Sequence, residues 1–361
     1  QVNRKFADAI SARTTSKDTI WVHDYHLIRV GADLRRRRPQ ARIGFFLHIP
    51  FPPLDLFLKL PWRFEILNAL LAYDLVGFQT QRDKRNFIGC LRKMRRDVTV
   101  RGKGQVVSAA VDAHTVRLGS FPISIDFREF AHGADTQAVA GRVSRIRSDL
   151  GYGSGGGKLL LGVDRLDYTK GIPERLKAFA NALERYSRLR GKISLVQLVV
   201  PSRELIPKYK HLKLEIERLV SQINGRYART DWLPVHYMYR SVDRAELLAL
   251  YRAADIALIT PLKDGMNLVA KEYCAANVTN DGVLILSEFA GAAPQLQAGA
   301  LLVNPFHLEA VADTIAAACD MPAAERQRRM KALRKKARQT DIYWWLDSFL
   351  GAGFDSDLMA F

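Results

Sequence analysis

The chain is poor in cysteine, and it lacks long apolar runs and any cysteine spacing that would hold a metal. Its three cysteines, Cys90, Cys274 and Cys319, are scattered through 361 residues and form no C-x-x-C pair. Such thiols are typical of a reducing compartment, and they argue against both a disulfide framework and a zinc knuckle. No segment approaches the roughly 18 consecutive apolar residues that a membrane span needs. The first residues have no signal-peptide character. We therefore expect a cytoplasmic protein that does not bind membranes.

Acidic residues are in deficit, because 55 lysines and arginines face 37 aspartates and glutamates, a net charge of +18. This surplus attracts polyanions or phosphorylated substrates but says nothing about the fold. Basic runs occur at residues 35–38, 92–96 and 326–338. No aromatic or glycine-rich nucleic-acid module accompanies them, so we interpret them as solvated helix faces. A nucleic-acid-binding protein is kept as the alternative from another functional class.

Apolar, strand-like segments alternate with helical segments through both halves of the chain. The first half has such strands at residues 19–22, 43–47 and 75–78, followed by a predicted hairpin over 98–118. The second half has them at residues 159–163, 194–200, 235–239, 256–259, 282–286 and 300–303. Strands that are apolar throughout and separated by helices indicate parallel sheets covered on both faces. We predict an α/β fold with two doubly wound, Rossmann-like domains that face each other across a cleft.

A glycine-rich run at residues 151–157 is the clearest change in composition along the chain. It matches G-x-G-x-x-G, but it precedes a predicted strand, whereas a dinucleotide fingerprint follows one. We therefore interpret the run as a linker. The predicted organisation is a first domain over 1–126, a linker helix and glycine-rich linker over 127–157, a second domain over 158–340 and a final helix within 341–361.

Polar side chains follow the first two predicted strands, where Asp24 and His48 each come directly after an apolar run. Together with His23 and His26, His48 could be interpreted as a metal cluster. That interpretation needs at least three convergent ligands, and the two rings of an H-x-x-H turn point apart. We favour catalysis by protein groups without a metal. Asp24 can accept a hydrogen bond from a sugar hydroxyl, and His48 can donate one.

The strand at 159–163 runs directly into a loop that carries two cations five positions apart, Arg165 and Lys170. Gly171 lets the backbone turn, so both side chains can converge on one anionic group. Two cations facing a diphosphate stabilise the charge that develops on a departing group. Ion pairing of Arg165 with Asp164 or Asp167 is an equally good interpretation of the pattern.

The strand at 256–259 is followed by a glycine-containing turn and by a helix predicted to start at Asn267. Free backbone N–H groups at a helix start bind anions. Glu272, about one turn further on, could accept two ribose hydroxyls, or it could be an exposed helix residue paired with Lys271 or another neighbour. Arg203, after the strand at 194–200, is suitably placed for a phosphate. The combination predicts a site for a nucleotide diphosphate and a phosphorylated partner.

Four segments in this order resemble glycosyltransferase family 20, the trehalose-6-phosphate synthase family. They are residues 21–27 (WVHDYHL), 44–52 (GFFLHIPFP), 165–171 (RLDYTKG) and 264–272 (DGMNLVAKE). The resemblance extends over about residues 2–350 and implies a retaining glycosyltransferase of the GT-B type. It implies transfer of glucose from UDP-glucose to glucose 6-phosphate, giving α,α-trehalose 6-phosphate and UDP. The implied mechanism is a front-face attack without cofactor or metal, in which the departing phosphate takes the proton of the acceptor.

The resemblance also implies roles for individual residues. Those implied to hold UDP are Arg165, Lys170, Val242, Leu268, Val269 and Glu272, with the Val242 backbone reading the uracil. Those implied to contact the donor glucose are His48, Asp264, Met266 and Asn267. Those implied to hold glucose 6-phosphate are Asp24 and Arg203. The residues implied to act in catalysis are Asp24, His48, Arg165 and Lys170.

Two features depart from the family pattern. Family members carry an N-terminal strand and a glycine-rich loop that would precede residue 1, so we expect these 361 residues to bind UDP with little turnover. Residues 60–63 (LPWR) resemble the glucosylglycerol-phosphate synthases, which use glycerol 3-phosphate and are the second candidate; pseudo-glycosyltransferases are a distant third.

The expected partners are UDP-glucose and glucose 6-phosphate, without nucleic acid; homo-oligomerisation is left open. The final helix is implied to return to the first domain.

Overall fold

The chain, seen in a computed structural model, is described over residues 1–152 and 157–354. It divides into two compact units: unit 1 holds Gln1–Ile123 and the chain from Tyr343 onward, and unit 2 holds Ser124–Ile342. Each unit has its own six-stranded sheet and its own apolar core. The division thus falls ahead of the glycine-rich run, of which residues 153–156 lie outside the described residues, as do residues 355–361.

Unit 1 alternates helices and strands and then ends its sheet with a meander. Its elements are α1 (Val2–Arg13), β1 (Thr19–His23), α2 (Val30–Arg37), β2 (Arg42–Leu47), α3 (Leu54–Phe57), α4 (Arg63–Leu70), β3 (Leu75–Phe78), α5 (Gln81–Met94), β4 (Thr99–Arg101), β5 (Val106–Val111) and β6 (His114–Ser120). The strand order is β1-β2-β3-β6-β5-β4. Strands β1, β2, β3 and β6 are parallel, whereas β5 pairs antiparallel with both β6 and β4. The predicted hairpin excursion is confirmed as this antiparallel part.

Unit 2 consists of alternating helices and parallel strands. Its elements are α6 (Phe127–Ala134), α7 (Gln137–Asp149), β7 (Lys158–Arg165), α8 (Ile172–Arg185), β8 (Ile193–Val200), α9 (Pro207–Tyr227), β9 (Val235–Tyr239), α10 (Arg244–Ala253), β10 (Ile256–Ile259), α11 (Leu268–Ala276), β11 (Val283–Ser287), α12 (Ala293–Leu296), β12 (Leu301–Val303), α13 (Leu308–Asp320) and α14 (Ala323–Gln339). The strand order is β12-β11-β10-β7-β8-β9, with every pair parallel. The predicted α/β class with parallel, helix-covered sheets is confirmed.

The strand order of unit 2 reverses between β7 and β10. The chain builds the sheet outward from β7 through β8 to β9, and then returns to pair β10 with the other side of β7. The loops that leave β7 and β10 therefore diverge to opposite faces and open a crevice at the carboxyl ends of these strands, where ligands bind in open α/β sheets. This topology places residues 165–171 beside residues 260–268.

The segment predicted as a linker helix forms two helices, α6 and α7, which pack on α10 within unit 2. Each begins with a side-chain cap, from Asp126 to the Glu129 N–H and from Thr136 to the Val139 N–H. No helix in the described ranges is both long and apolar enough to cross a membrane.

The last helix, α15 (Ile342–Gly353), covers one face of the unit 1 sheet. Trp345 and Phe349 stack on Trp21 of β1, with ring centroids 4.9 and 4.2 Å away. The helix can lie close to the sheet because β2 and β3 carry glycines, Gly44 and Gly77, beneath its aromatic side chains. A Cβ atom added to Gly77 would lie 2.7 Å from the Phe349 ring. The aromatic face of α15 and the glycines of the sheet are therefore complementary in shape.

We expect Gly77→Ala to lower the unfolding free energy of unit 1 by about 1–3 kcal/mol, the usual cost of overpacking a filled core. The matched control is Gly89→Ala on α5, where an added Cβ meets no atom within 4 Å. That change should be neutral or should stabilise by up to about 1 kcal/mol, because alanine is the better helix former. Urea unfolding of both variants measures the difference, and equal stabilities would contradict the packing of α15 on β3.

Candidate functional site

The predicted site residues divide between the two units. Asp24 and His48 belong to unit 1, and the other predicted residues belong to unit 2. In both units they follow the carboxyl ends of parallel strands, because β1 ends at His23, β2 at Leu47, β7 at Arg165, β8 at Val200 and β10 at Ile259.

Asp24 stands in a strained backbone conformation at the end of β1. Its φ of 68° and ψ of 162° fall in a region that is normally left to glycine. Two hydrogen bonds hold this turn: the Asp24 N–H donates to the Phe46 carbonyl at 2.8 Å, and the Tyr25 N–H donates to the Asp24 carboxylate at 2.9 Å. Strain of this kind persists where the surrounding structure imposes it, and it is concentrated at functional sites.

His48 is paired with His23 rather than with a metal cluster. Nδ1 of His23 and Nε2 of His48 lie 3.0 Å apart. Burial lowers the pKa of both imidazoles, and the neighbouring His48 lowers the pKa of His23 further. The His26 ring lies on Tyr25 instead, at a centroid distance of 3.7 Å. Within residues 1–152 and 157–354, no three histidine, cysteine, aspartate or glutamate side chains are grouped in a way that could hold a metal ion.

Arg165 is exposed at the end of β7, and no described residue bonds to its guanidinium. The alternative interpretation, in which Asp164 or Asp167 holds Arg165, is wrong. Asp164 is buried and pairs with Arg175, while the Asp167 carboxylate accepts from the backbone N–H and the hydroxyl of Thr169, both at 2.8 Å. Arg165 is therefore a cation without a structural counterion.

Arg175 is completely buried beneath the loop that carries Arg165 and Lys170. Its guanidinium donates to Asp164 on β7, to Gln197 on β8 at 3.0 Å and to the Thr260 hydroxyl after β10 at 3.1 Å. A longer bond of 3.4 Å reaches the Lys170 carbonyl. One side chain thus connects three strand ends and the turn above them. Sequence reasoning missed it; the available signal was a basic residue on the apolar face of α8.

Lys170 lies in a short turn that is connected to the loop after β10. The Leu262 N–H donates to the Thr169 carbonyl at 2.8 Å, and the Lys170 ammonium pairs with Asp264 at 2.6 Å. Gly171 has a φ of 64°, and a Cβ there would lie 2.5 Å from the Thr260 carbonyl oxygen. Glycine is therefore required at this turn both for its φ and for space. The two predicted anion loops form one structure.

Asp264 organises the start of α11. Its carboxylate accepts from the Asn267 amide at 3.1 Å and, more weakly, from the Met266 N–H at 3.4 Å. Asn267, at a φ of 74°, caps the helix by accepting from the Ala270 N–H at 3.2 Å.

The helix start leaves two donors available. The Leu268 and Val269 N–H groups have no acceptor among the described residues. Open N–H groups at a helix start, beside Lys170, form an anion-binding site. Gly291 makes this loop arrangement achievable, because a Cβ at that position would overlap the Gly265 carbonyl.

Glu272 is half-buried in α11, and its carboxylate accepts from the Tyr251 hydroxyl of α10 at 2.7 Å. The alternative, in which Glu272 is an exposed helix residue, is wrong, because Glu272 is half-buried and accepts from Tyr251. Burial raises the pKa of Glu272, and the hydroxyl of Tyr251 and the charge of Arg244 oppose that rise. Sequence reasoning did not identify Tyr251, since nothing in the local pattern links it to a residue 21 positions away.

Arg203 and Val242 follow the strands on the other side of β7. Arg203 has a φ of 50° and bonds to the hydroxyl of Tyr209 at 3.3 Å. Tyr209 in turn packs edge-on against Tyr168 of the Lys170 turn, with centroids 6.0 Å apart. Val242 lies between β9 and α10, and its backbone N–H and carbonyl have no partner among the described residues. This leaves both groups available to a ligand.

The basic runs are largely engaged in internal contacts. The run at 35–38 is bonded to carboxylates and carbonyls of unit 1: Arg35 to Asp74, Arg36 to Asp33, Arg37 to Asp8, and Arg38 to the carbonyls of Ser11 and Thr14. On α14, Arg326 pairs with Asp281, Arg328 and Arg329 pair with Glu325, and Arg334 donates to the carbonyls of Cys274 and Ala275. These arginines of the first and third basic runs therefore have partners within the chain.

Comparison with known proteins identifies relatives over nearly the whole chain. The model of glycosyltransferase family 20 matches residues 1–352. A trehalose-6-phosphate synthase of Mycobacterium leprae is 47% identical over 355 residues, which are 97% of this chain and 70% of that protein. The corresponding protein of Mycolicibacterium smegmatis is 46% identical over 359 residues, 98% of this chain and 70% of its own length.

Solved structures show the same similarity. A UDP-forming α,α-trehalose-phosphate synthase from Burkholderia xenovorans, in complex with glucose-6-phosphate, gives a TM-score of 0.90 at 39% identity, covering 97% of this chain and 76% of that one. An E. coli structure bound with UDP-2-fluoro glucose gives 0.90 at 36% identity, covering 98% and 77%. The predicted GT-B fold class is confirmed by these structures.

We expect Arg165→Ala to weaken binding of UDP by about 10- to 100-fold, because a hydrogen bond to a charged group contributes about 1.5–3 kcal/mol. Thermal unfolding should be unchanged, since the guanidinium has no partner among the described residues. Calorimetric titration with UDP measures the loss. The control is Arg338→Ala, an exposed arginine of α14. Equal UDP affinities for the two variants would remove Arg165 from the site.

Tyr251→Phe tests the ionisation of Glu272. Loss of the hydroxyl bond removes a contribution that lowers the pKa of Glu272, so this pKa should rise further. If Glu272 binds the ribose as the sequence predicts, its ionised carboxylate is the accepting form, and UDP-glucose affinity should decline as the pH falls through that pKa. The decline should begin at a higher pH in the variant, measured from about pH 8 to about pH 5. Tyr186→Phe is the control, because it removes an equally short bond of 2.7 Å to Asp313. Coincident pH profiles would contradict the assignment.

Proposed function

The chain belongs to glycosyltransferase family 20, and we propose that it transfers glucose from UDP-glucose to glucose 6-phosphate. The products are α,α-trehalose 6-phosphate and UDP, as in trehalose biosynthesis. The observation that carries the proposal is the joined pair of loops after β7 and β10. These loops present the unpaired Arg165, Lys170 and the open start of α11 at the point where the strand order reverses.

The nucleotide part of the donor fits the groups of unit 2. The diphosphate is bound by Arg165, Lys170 and the free N–H groups of Leu268 and Val269, since these combine positive charge with unused donors. Glu272 accepts the ribose hydroxyls while Tyr251 holds its carboxylate. The unpaired backbone of Val242 reads the uracil. In this arrangement Arg165 and the N–H groups of Leu268 and Val269 are without a partner among the described residues, whereas Lys170 and Glu272 are held by Asp264 and Tyr251.

The sugar part of the donor is bound by Asp264 together with the backbone of Met266 and Asn267. The Asp264 carboxylate already bonds to Lys170 and to Asn267, so it links the sugar site to the diphosphate site. His48 contacts a hydroxyl of the donor glucose. For the acceptor, Asp24 binds sugar hydroxyls and Arg203 binds the 6-phosphate.

The reaction exchanges one C–O bond for another on the same face of the donor sugar. The bond between C1 of glucose and the β-phosphate oxygen breaks, with its electron pair remaining on UDP. A hydroxyl oxygen of the acceptor bonds to C1, and its proton passes to the departing phosphate oxygen. Arg165, Lys170 and the α11 dipole stabilise the negative charge that develops on UDP. We propose that these groups act without a metal or cofactor.

Residues 60–63, which resemble the glucosylglycerol-phosphate synthases, raise glycerol 3-phosphate as a second acceptor. The relatives named above are trehalose-phosphate synthases, and they favour the first assignment. A cytoplasmic location is proposed from the free cysteines, of which Cys90 and Cys274 are buried.

The test is release of UDP by the chain from UDP-glucose in the presence of glucose 6-phosphate, glycerol 3-phosphate or no acceptor. Because little turnover is expected, the rates with the different acceptors are compared with one another. Glucose 6-phosphate should give the fastest release and a non-reducing disaccharide phosphate with both anomeric centres α, identified by NMR. Calorimetry with UDP-glucose measures donor binding independently of turnover. Faster release with glycerol 3-phosphate would select the second candidate, and absence of heat with UDP-glucose would contradict both.

A further inference from the structure

The His23–His48 pair fixes a ring that the proposed function places on the donor sugar. His23 is the last residue of β1, and in the parallel register it stands opposite Phe46 of β2. His48 lies two residues beyond Phe46, so both histidines lie on the same side of the two strand ends. Their ring nitrogens, Nδ1 of His23 and Nε2 of His48, are 3.0 Å apart.

Aromatic packing holds both rings in place. The His23 ring packs on Trp21 at a centroid distance of 4.6 Å, and the His48 ring meets Phe46 edge-on at 4.9 Å. Trp345 of α15 packs against Trp21 at 4.9 Å and against Phe46 at 5.1 Å. This packing limits tilting of either imidazole out of its plane. A half-turn within that plane exchanges ring nitrogens for carbons without displacing a neighbour, so the hydrogen bond between the two rings is what selects the orientation.

The hydrogen bond between the two rings restricts where protons can lie. It needs one N–H and one lone pair, so one ring donates and the other accepts. Burial lowers the pKa of both imidazoles and favours the neutral pair, while the nearby Asp24 carboxylate opposes this. In a neutral pair, the proton at the shared bond determines the protonation of the two outer nitrogens. Nδ1 of His48 is then the one ring nitrogen of that residue still available to a ligand.

We propose that His23 is a positioning residue for glucosyl transfer: by bonding to Nε2 of His48, it fixes the tautomer and direction of the His48 ring and presents Nδ1 to a hydroxyl of the donor sugar. The proposal rests on the proposed function, in which His48 contacts that sugar. His23 itself touches no substrate. A group that bonds to one ring nitrogen of a functional histidine determines which of its two nitrogens carries the proton, and His23 has this role toward His48.

The geometry of the bonded atom provides a matched set of variants. Nδ1 of histidine is attached to Cγ, as is the amide of asparagine, whereas the amide of glutamine lies one carbon further out. His23→Asn can therefore keep a hydrogen-bonding atom close to the position of Nδ1. His23→Gln moves that atom away, and His23→Phe keeps an aromatic ring against Trp21 but has no such atom.

Binding is compared for UDP and UDP-glucose with each variant. We expect UDP affinity to be unchanged in all of them, since the UDP-binding groups belong to unit 2. UDP-glucose affinity and turnover should fall about 10-fold in His23→Phe and His23→Gln, the scale seen when the partner that orients a functional histidine is removed. His23→Asn should keep most of both. A loss shared equally by all three variants would indicate a structural role and overturn the proposal.

The tautomer is measured directly by ¹⁵N NMR of histidine-labelled chain, with the His48 signals identified from His48→Gln. The wild-type chain should show one tautomer of His48, and His23→Phe should show a mixture of both. An unchanged single tautomer in His23→Phe would overturn the proposal. Absence of UDP-glucose binding by the wild-type chain would instead contradict the proposed function, and the NMR comparison would still decide whether His23 sets the tautomer.

Discussion

Parallel pairing of strands is the constraint on which both units depend. The strands of unit 2 are buried along most of their length, so polar groups that a ligand can reach lie mainly where a strand ends, and parallel strands end at the same edge. Asp24, His48, Arg165, Arg203 and the turn at Asp264 all follow strand ends for this reason. Within unit 2, reversal of the strand order at β7 then opens the loops after β7 and β10 to a ligand.

The buried Arg175–Asp164 pair turns this topology into a defined geometry. Desolvation of two charges costs much of what their attraction returns, so such a pair is weak evidence of stability. Its value here lies in connectivity, because Arg175 also bonds to Gln197, Thr260 and the carbonyl of Lys170. The strand that carries Arg165 and the turn that carries Lys170 are held by a single side chain. Positioning of this kind is what charge stabilisation in a transition state requires.

The distribution of positive charge separates structural arginines from functional ones. Several arginines of α2 and α14 bond to carboxylates and carbonyls, whereas Arg165 has no partner among the described residues. Within that part of the chain Arg165 has no counterion, and the N–H groups at the start of α11 have no acceptor. An anion bound there forms hydrogen bonds and ion pairs without breaking an existing contact of these groups. The net charge of +18 therefore says less about ligands than position does: Arg165 differs from the many other cations without a carboxylate partner because it lies at a strand end, close to an open helix start.

The sequence by itself determined the α/β class, the strand positions and the motif residues. Apolar runs of strand length, helical spacing and turn residues are local signals, and the four motifs that resemble glycosyltransferase family 20 are contiguous. Only the tertiary structure decided which partner each charged group takes. Asp164 pairs with Arg175, Glu272 accepts from Tyr251, and His48 bonds to His23. In each pair the two residues come from different elements of the chain. The physical reason is that pairing of side chains depends on strand order and on burial, and neither is encoded in the spacing of neighbouring residues.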